Sequence, residues 1–359
     1  MNFESNVIFC DADDAEAAQR RDQARPRPAT VADAAGLARL FQLTYGDTSH
    51  PCQQESFIRD GIASGLQHWQ LLEWDGGVGA CACLALYPWN RSREMCFGAV
   101  HPALQQMGIV SALCRRCLDS LPPQPEELGF CTPRQPAALR AMRKFLNTVL
   151  LGHDGGPNTV DGIREHHLLG MHPPFAQPFP HAAPEAPAIL ASAFVRERLY
   201  APLGLSMRSG AYPATCFTGS ERGERDGAFL FGRDDAVQAV FIGGYLGEPG
   251  AEAAELERFL ASRDDARYVC ARVLADKTGL IAHMLRLGFE ITAYLPAWHW
   301  ENGLRCDCLL LAWNDFDVRP RIHGFADEVE ELDRAWAELA AALLRDETAR
   351  APSPADANI

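Results

Sequence analysis

Residues 94–118 form the part of this chain whose residue types and spacing are most typical of a binding site. They predict a strand that opens with Glu94, a polar loop that contains Gly108, and then a helix. The unbonded N–H groups at the start of such a helix and the positive end of its dipole point at one spot, where an anion can bind. The pattern therefore predicts a diphosphate site that needs neither a metal ion nor a lysine.

The helix after this loop is supported by its apolar periodicity. Five residues recur at the spacing of one helix face, namely Val110, Leu113, Cys114, Cys117 and Leu118. Gly108 stands where a backbone turns tightly or approaches a ligand closely. Many strand-to-helix turns carry a glycine and bind nothing, so these residues alone leave an anion site and an ordinary turn both open.

Residues 105–110, Gln-Gln-Met-Gly-Ile-Val, resemble the pyrophosphate loop of the GNAT superfamily, the acyl-CoA N-acyltransferases. The family pattern is Gln or Arg, two residues, Gly, one residue, then Gly or Ala. Gln105 and Gly108 match it, and Val110 departs from its last position. The resemblance implies acetyl-CoA, or another acyl-CoA, as co-substrate. The residues that it places at this co-substrate are Ala99, Val100, Gln105, Gln106, Met107, Gly108, Ile109, Val110 and Ser111.

The flanking sequence extends the resemblance. Residues 27–34 resemble the first strand and first helix start of the family, and residues 69–86 predict a β-hairpin around Asp75-Gly76, a strong turn signal. The resemblance covers most of residues 27–175 and, more weakly, 190–315. It implies an α/β (α+β) fold, with a GNAT-like mixed, mostly antiparallel sheet flanked by helices, in two tandem modules.

The second module is expected to be a degenerate GNAT-like half without an acyl-CoA site of its own. Its counterpart of the pyrophosphate loop lies at residues 243–250, and Glu248, Glu252 and Glu255 stand at the start of the helix that follows. Carboxylates at a helix start compete with a phosphate for the same amides and the same dipole. We therefore expect one acyl-CoA site, in the first module.

Composition shifts divide the chain into five predicted parts. They are a flexible N-terminal arm (1–26), a GNAT acyl-CoA-binding module (27–175), a proline-rich linker (176–190), a degenerate GNAT-like module (191–315) and a C-terminal helix and tail (316–359). Apolar residues spaced four and three apart from Phe325 to Leu343 predict a long helix. This helix is expected to pack against its own chain, and a homodimer contact is the alternative.

The charge and hydropathy of the chain exclude some classes of partner. A net charge of −14 without a basic stripe argues against nucleic acid. The absence of an apolar run of about 18–20 residues and of a signal pattern argues against a membrane and favours the cytoplasm. The 12 cysteines are scattered through apolar segments, so they are predicted to be reduced core residues, including Cys114 and Cys117.

Acyl transfer to an amine requires a base, because a lysine-like amine has a pKa of about 10.4. Glu94 is the candidate, since it opens the strand at the position where many members of the resembled family carry a base that works through water. A glutamate is a poor base at neutral pH unless burial raises its pKa. The alternative for Glu94 is a solvated carboxylate paired with Arg91 or Arg93.

A general acid is harder to identify. The resembled family often carries a tyrosine in the helix after its fifth strand, but residues 136–150 contain none, and Phe145 lies near the expected position. Either the thiolate leaves unassisted or another group acts, and the candidates are His153, His166, His167 and Tyr294. No metal site is predicted, because a pair such as His166-His167 is more often structural than metal-binding. His299 could line the substrate cleft or be structural.

The sequence as a whole predicts an acetyl-CoA-dependent N-acyltransferase that moves a short acyl group to the amine of a small metabolite. One alternative is a non-catalytic acyl-CoA sensor or regulatory module. A second alternative is a GNAT-fold enzyme with changed chemistry, such as acyl transfer from a carrier protein or decarboxylation of an acyl thioester.

Overall fold

The computed structural model describes residues 25–46, 48, 50–105, 107–124, 126–174, 180–219, 223–322 and 324–350. In these residues, fourteen strands form one continuous sheet and two form a small separate ladder. The strands are Arg25–Pro28 (β1), Gln67–Trp74 (β2), Gly77–Tyr87 (β3), Ser92–Val100 (β4), Leu128–Cys131 (β5), Val149–His153 (β6), Asn158–Val160 (β7), Ile163–Glu165 (β8), Leu168–Met171 (β9), His181–Ala182 (β10), Glu224–Asp226 (β11), Phe229–Asp234 (β12), Ala239–Tyr245 (β13), Tyr268–Leu274 (β14), Glu290–Glu301 (β15) and Leu304–Asn314 (β16).

Helices cover both faces of the sheet. A π-helical turn at Val195–Tyr200 continues into one short α-helical turn at Ala201–Leu203. The other helices are Ala34–Tyr45 (α1), Glu55–Ala63 (α2), Ile109–Ser120 (α3), Pro136–Leu146 (α4), Pro187–Ala191 (α5), Glu252–Ala261 (α6), Thr278–Arg286 (α7) and Ala326–Arg350 (α8).

The predicted hairpin is confirmed as β2 and β3. Asp75 and Gly76 both have positive φ, 49° and 70°, which is the geometry of a tight type I′ turn. Alternate residues of β3 point to opposite faces of the sheet. Cys81 packs in the cluster beneath α1, and Ala80 and Ala82 pack in the cluster beneath α3. Both faces of this hairpin are therefore buried, and its register is fixed on both sides.

The sheet repeats one strand plan on either side of the contact between β6 and β15. Outward from β6 the order is β9, β5, β4, β3, β2, and outward from β15 it is β16, β14, β13, β12, β11. The only parallel neighbours on this path are β4 with β5 and β13 with β14. Each parallel pair is connected through a helix, α3 or α6, as parallel strands require. The mixed, mostly antiparallel sheet that the resemblance implied is therefore present, while the exact domain boundaries remain a prediction.

Gly152 lies where the two halves of the sheet meet. It pairs with Ala293 of β15, and a Cβ built on it would lie 2.5 Å from the Ala293 Cα and still closer to the Thr292 carbonyl oxygen. Backbone atoms cannot rotate away as a side chain can. We predict that Gly152→Ala lowers the free energy of unfolding by about 1–3 kcal/mol, measured by urea titration. Gly232→Ala is the matched control, since its Cβ would meet no heavy atom within 4 Å. Equal stability of the two variants would contradict this.

Two sequence predictions about the second half have different outcomes. The predicted seam helix is confirmed as α8, and its apolar stripe, including Phe325, Trp336 and Leu343, is buried against the same chain. The number of prolines in the predicted linker argues against a helix or a central strand there, and for the helix this expectation was wrong. Residues 181–182 form β10 beside β16, and Pro187 occupies the first turn of α5, where its missing N–H costs nothing.

The first 24 residues and residues 351–359, which include most of the predicted arm and the end of the tail, lie outside the described residues.

Candidate functional site

Strands β4 and β5 separate after a short paired stretch. They pair only from Ser92 to Glu94, and no described residue pairs with β4 beyond Glu94 on that side. A bulge accompanies the separation, since Phe97 has a φ of 51° and the register with β3 shifts between Cys81 and Cys83. Bulges bend a strand and increase its twist. The main chain of β4 beyond Glu94 therefore faces a gap between the two strands.

The helix that follows β4 begins without a cap from any side chain. Gly108 is the N-cap residue in the left-handed conformation, with φ of 71° and ψ of 10°, which glycine adopts at no steric cost. The N–H of Ala112 donates to the Gly108 carbonyl (3.3 Å), so the amides of residues 109–111 precede the first helical bond. No acidic residue lies in the first turn of α3. The amides of residues 109–111 are therefore not used within the helix, and an anion site at them remains a prediction.

The predicted co-substrate residues differ in what they present. Ala99 and Ile109 are both 3% exposed and face the core, so only their main chain can contact a ligand. Gly108 and Gln105 are exposed, while Met107, Val110 and Ser111 are half-buried, as is Val100. The Gln105 Nε2 lies 3.5 Å from the Val100 carbonyl oxygen, which it can reach as a donor. Gln106 lies outside the described residues.

Val110 stands where the resembled loop has a small residue, and its side chain packs against β4. A Cβ built on Gly98 of β4 would lie 3.4 Å from the Val110 Cγ1, so the valine side chain packs directly over that glycine. A smaller residue at 110 would leave this corner open. Val110 therefore narrows the space beside the helix start without capping its amides.

The corresponding gap in the second half is filled by the chain itself. Strands β13 and β14 also separate, but the segment 216–218 lies along the freed edge of β14. The Thr218 N–H donates to the Arg272 carbonyl (3.0 Å), and the Leu274 N–H donates to the Cys216 carbonyl (2.9 Å). A Cβ on Gly219 would meet the Gly243 Cα at 2.5 Å. No room for a ligand arm remains between these two strands.

The start of α6 carries its own anion. Burial alone would raise the pKa of Glu252, but hydrogen bonds from the N–H groups of Gly250 and of Glu252 itself outweigh it, and the pKa is lowered. The carboxylate thus occupies the donors that a phosphate would need. Among the described residues, the combination of an open strand edge and an uncapped helix start occurs at β4 and α3 and is blocked at β13 and α6.

Glu94 is buried rather than solvated. Its side chain accepts a hydrogen bond from the Tyr87 hydroxyl at Oε2 (2.7 Å) and one from Thr132 Oγ1 at Oε1 (2.5 Å), and the residue is 7% exposed. Burial raises the pKa of Glu94, and the two hydroxyl donors oppose this only in part.

The alternative of a surface ion pair for Glu94 was wrong. The neighbouring arginines have other partners, since Arg91 pairs with Glu126 and Arg93 pairs with Glu127. Glu94 is therefore a buried carboxylate with two neutral hydroxyl donors, which is the environment that makes a glutamate a stronger base.

The candidate acids lie in different parts of the molecule. The Tyr294 hydroxyl donates to buried Asp307 of the second half (2.5 Å). His153 contacts Asp333 of α8 (2.9 Å) and packs against His166, whose pKa is lowered to about 4 by burial. His167 lies beside Asp154, with 3.8 Å between its Nδ1 and the Asp154 Oδ2.

His299 belongs to the blocked gap of the second half. Its Nδ1 contacts Thr218 (3.0 Å) and its Nε2 contacts Glu301 (3.1 Å). These contacts favour the structural interpretation over a place in a substrate cleft.

Sequence reasoning missed the residues that surround Glu94. Tyr87 could have been found, because the β3–β4 pairing sets Ala85 opposite Glu94 and Tyr87 opposite Ser92, one diagonal step away. Thr132 follows β5, far from Glu94 in the sequence, so no local pattern connects the two residues. Long-range packing brings this group together.

Neither a membrane helix nor a metal cluster is found where the structure describes the chain. No helix there combines the length and the apolar character that crossing a bilayer requires. No group of three or more His, Cys, Asp and Glu side chains there is arranged to hold a metal ion. The eleven cysteines in this part of the chain are all free thiols, and Cys114 and Cys117 are buried on one face of α3.

No family model and no curated protein sequence matches the chain, but solved structures do match part of it. A GNAT-superfamily phosphinothricin acetyltransferase from Sinorhizobium meliloti, in complex with AcCoA, is 15% identical over 42% of this chain and 89% of its own, with a TM-score of 0.35. The diaminobutyrate acetyltransferase from Paenibacillus lautus, in complex with L-2,4-diaminobutyric acid and coenzyme A, is 16% identical over 43% and 96%, with a TM-score of 0.35. An N-acetyltransferase from Staphylococcus aureus is 15% identical over 42% and 98%, with a TM-score of 0.35.

The class of fold follows from the chain's own strand order. The first half has a GNAT-like fold, in which a mostly antiparallel sheet contains one parallel pair, β4 and β5, that separates beside the start of α3.

Proposed function

We propose that this chain transfers a short acyl group, most simply acetyl, from acyl-CoA to the amine of a small metabolite. The observation that carries the proposal is the contrast between the two gaps. The first has free strand and helix amides, and the second is closed by residues 216–219 and by Glu252. One acyl-CoA per chain, bound in the first half, is the arrangement that this contrast supports.

The main chain of the first half would hold the acyl-CoA. The amides of residues 109–111 would bind the diphosphate, because they are the unbonded donors at the positive end of α3. Amides of β4 beyond Glu94 would bind the pantetheine arm and the thioester carbonyl, since that edge has no strand partner among the described residues. When bound, acyl-CoA supplies an activated acyl group. The protein supplies orientation, which accounts for much of the rate in such reactions.

Glu94 would remove a proton from the incoming amine, directly or through a water. Its raised pKa brings it closer to the working pH, where a general base is most effective. Tyr87 and Thr132 fix the carboxylate by donating to one oxygen each. The thiolate is proposed to leave unassisted or with help from His167.

A non-catalytic acyl-CoA sensor is the second candidate, and one observation favours it. Val110 packs over Gly98 and narrows the corner where the resembled family keeps a small residue. A chain that bound acyl-CoA there and no longer presented its thioester to an amine would be a sensor rather than an enzyme.

A turnover assay separates the candidates. Purified protein is incubated with acetyl-CoA and a panel of amines that includes spermidine and 2,4-diaminobutyrate, and free thiol and acylated product are both measured. Amine-dependent thiol release that equals the acylated product supports the transferase. Binding of acetyl-CoA without any acylated amine supports the sensor. Free CoA without acylated product indicates changed chemistry, and no binding at millimolar acetyl-CoA rejects the proposal.

A further inference from the structure

A continuous row of side-chain contacts connects Glu94 with an arginine of the second half. The Tyr87 hydroxyl touches Glu94, and the Tyr87 ring lies 5.6 Å from the ring of Phe130, centroid to centroid. Phe130 lies 5.0 Å from Trp298 of β15, and the Arg272 guanidinium carbon lies 5.3 Å above the Trp298 ring. The row therefore runs from a buried carboxylate, along three aromatic rings, to a cation on β14.

The far end of this row has donors without acceptors. Arg272 is half-buried and has no hydrogen bond or ion pair with any side chain among the described residues. Trp298 is 6% exposed, and its Nε1–H is buried without a hydrogen-bond partner in the same part of the chain. A buried donor left unpaired costs about 1–3 kcal/mol, so such a group is commonly completed by a ligand or a water. Guanidinium and indole N–H groups are donors only, so both call for a negatively charged or carbonyl acceptor.

The two ends of the row, Glu94 and Arg272, also interact electrostatically. The positive charge of Arg272 is among the influences that lower the pKa of Glu94. A bound anion next to Arg272 would weaken this influence and leave Glu94 a stronger base.

We infer that the acyl acceptor is an amine that carries a carboxylate at the far end of its chain, such as an ω-amino acid, with its carboxylate bound by Arg272 and its amine presented to Glu94. This inference rests on the proposed function. The aromatic row of Tyr87, Phe130 and Trp298 provides an apolar floor for the part of the acceptor between these two groups. The second half then supplies acceptor specificity in place of a second acyl-CoA site.

Matched acceptor pairs test the inference. The probes are 4-aminobutyrate, 5-aminopentanoate and 2,4-diaminobutyrate, each compared with its carboxamide. With the wild-type chain we expect at least one acid to exceed its amide about tenfold in kcat/KM, which corresponds to about 1.4 kcal/mol. In Arg272→Gln the preference should disappear through a higher KM, with little change in kcat. Trp298→Phe keeps the ring and removes the N–H, so it should lose part of the preference.

Arg258→Gln is the matched control, because it also removes one positive charge but from an exposed position on α6. It should leave the acid preference intact. Acid preference that survives Arg272→Gln, or the absence of any acid preference in the wild type, would overturn the inference. A shift of the pH profile alone would show that Arg272 acts only on Glu94, and would also overturn it.

A binding experiment keeps the inference separate from the proposed function. Calorimetry with the same acids and amides, without acetyl-CoA, should give weaker binding of the acid to Arg272→Gln than to the wild type. If no amine is acylated, the proposed function fails, and this binding result still decides the role of Arg272. If no acid binds more tightly than its amide in this experiment and none is preferred in turnover, the inference fails while acyl transfer can stand.

Discussion

Replacing Glu94 by glutamine is expected to lower kcat by roughly a hundredfold or more and to leave the affinity for acetyl-CoA unchanged. General-base catalysis typically contributes about 10²–10⁴ in rate, and glutamine keeps the size and one acceptor oxygen while it loses the basic carboxylate. The acyl-CoA donors lie elsewhere, on the main chain of residues 109–111, so binding should be spared. Steady-state kinetics with the best amine of the panel and calorimetry with acetyl-CoA measure the two quantities.

The pH dependence of this variant has a definite sign. In the wild type, kcat/KM should fall as the pH drops through the raised pKa of Glu94, because the carboxylate becomes protonated. In Glu94→Gln this acidic limb of the pH profile, the fall of kcat/KM at low pH, should be absent. Tyr87→Phe removes one donor to the carboxylate, so it should move the limb to higher pH. Glu126→Gln is the control, because it removes an exposed carboxylate that pairs with Arg91 and should change neither kcat nor the limb.

Stability should change in the opposite direction to activity. A carboxyl whose pKa is raised in the folded state contributes stability below its unfolded pKa of about 4.3 and loses that contribution as the pH rises through the folded value. Glu94→Gln should therefore gain stability relative to the wild type as the pH increases from 4 to 8. Thermal unfolding at both pH values measures the gain. A variant with full activity, or one that loses stability at pH 8, would remove Glu94 from its proposed role.

Asp307→Ala is expected to cost about 3–5 kcal/mol of unfolding free energy, the largest stability effect of any substitution considered for this chain. Asp307 is fully buried on β16 and accepts hydrogen bonds from Tyr294 (2.5 Å), from the Ala297 N–H (2.7 Å) and from Tyr200. His181 of β10 contacts Oδ1 (2.6 Å), the same oxygen that accepts from the Ala297 N–H. Removing the carboxylate leaves all of these groups buried without an acceptor.

Urea titration measures this loss, and Asp307→Asn is the matched variant. Asparagine keeps one oxygen acceptor in the same space, so it should recover a substantial part of the stability that alanine loses. A loss below about 1 kcal/mol for alanine would show that water replaces the carboxylate and that the network does not stabilise the second half. Acetyl-CoA affinity should be unaffected wherever the variant is folded, because α3 lies in the other half.

The parts of the fold that the sequence predicted are those set by local patterns. The Asp75-Gly76 turn fixes the β2–β3 hairpin, and the apolar spacing of Phe325 to Leu343 fixes α8. The glutamates at the start of α6 also behave as expected, because Glu252 binds the helix amides itself. In each case the residues that decide the structure are neighbours in the sequence, so their spacing carries the information.

The parts that the sequence did not predict depend on distant contacts. Glu94 is buried because Thr132 and Tyr87 close over it, and β4 by itself does not indicate this. In the part of the chain that the structure describes, the segment that fills the second gap makes one bridge, between Phe217 and Val273, and it has no strand periodicity to detect. The number of prolines before residue 190 favours an irregular linker, but their positions also decide whether a helix can form. Pro187 at the first turn of α5 is compatible with a helix.

The measurement that tests the account most directly is calorimetry with acetyl-CoA on the wild-type chain and on two glycine variants. Gly108 and Gly250 both have positive φ, 71° and 90°, and precede α3 and α6, so a valine strains the two loops to a similar degree. We predict one bound acetyl-CoA per chain, affinity reduced at least about tenfold in Gly108→Val, and wild-type affinity in Gly250→Val. Two bound molecules per chain, no binding at millimolar ligand, or loss of affinity in Gly250→Val alone would contradict the account.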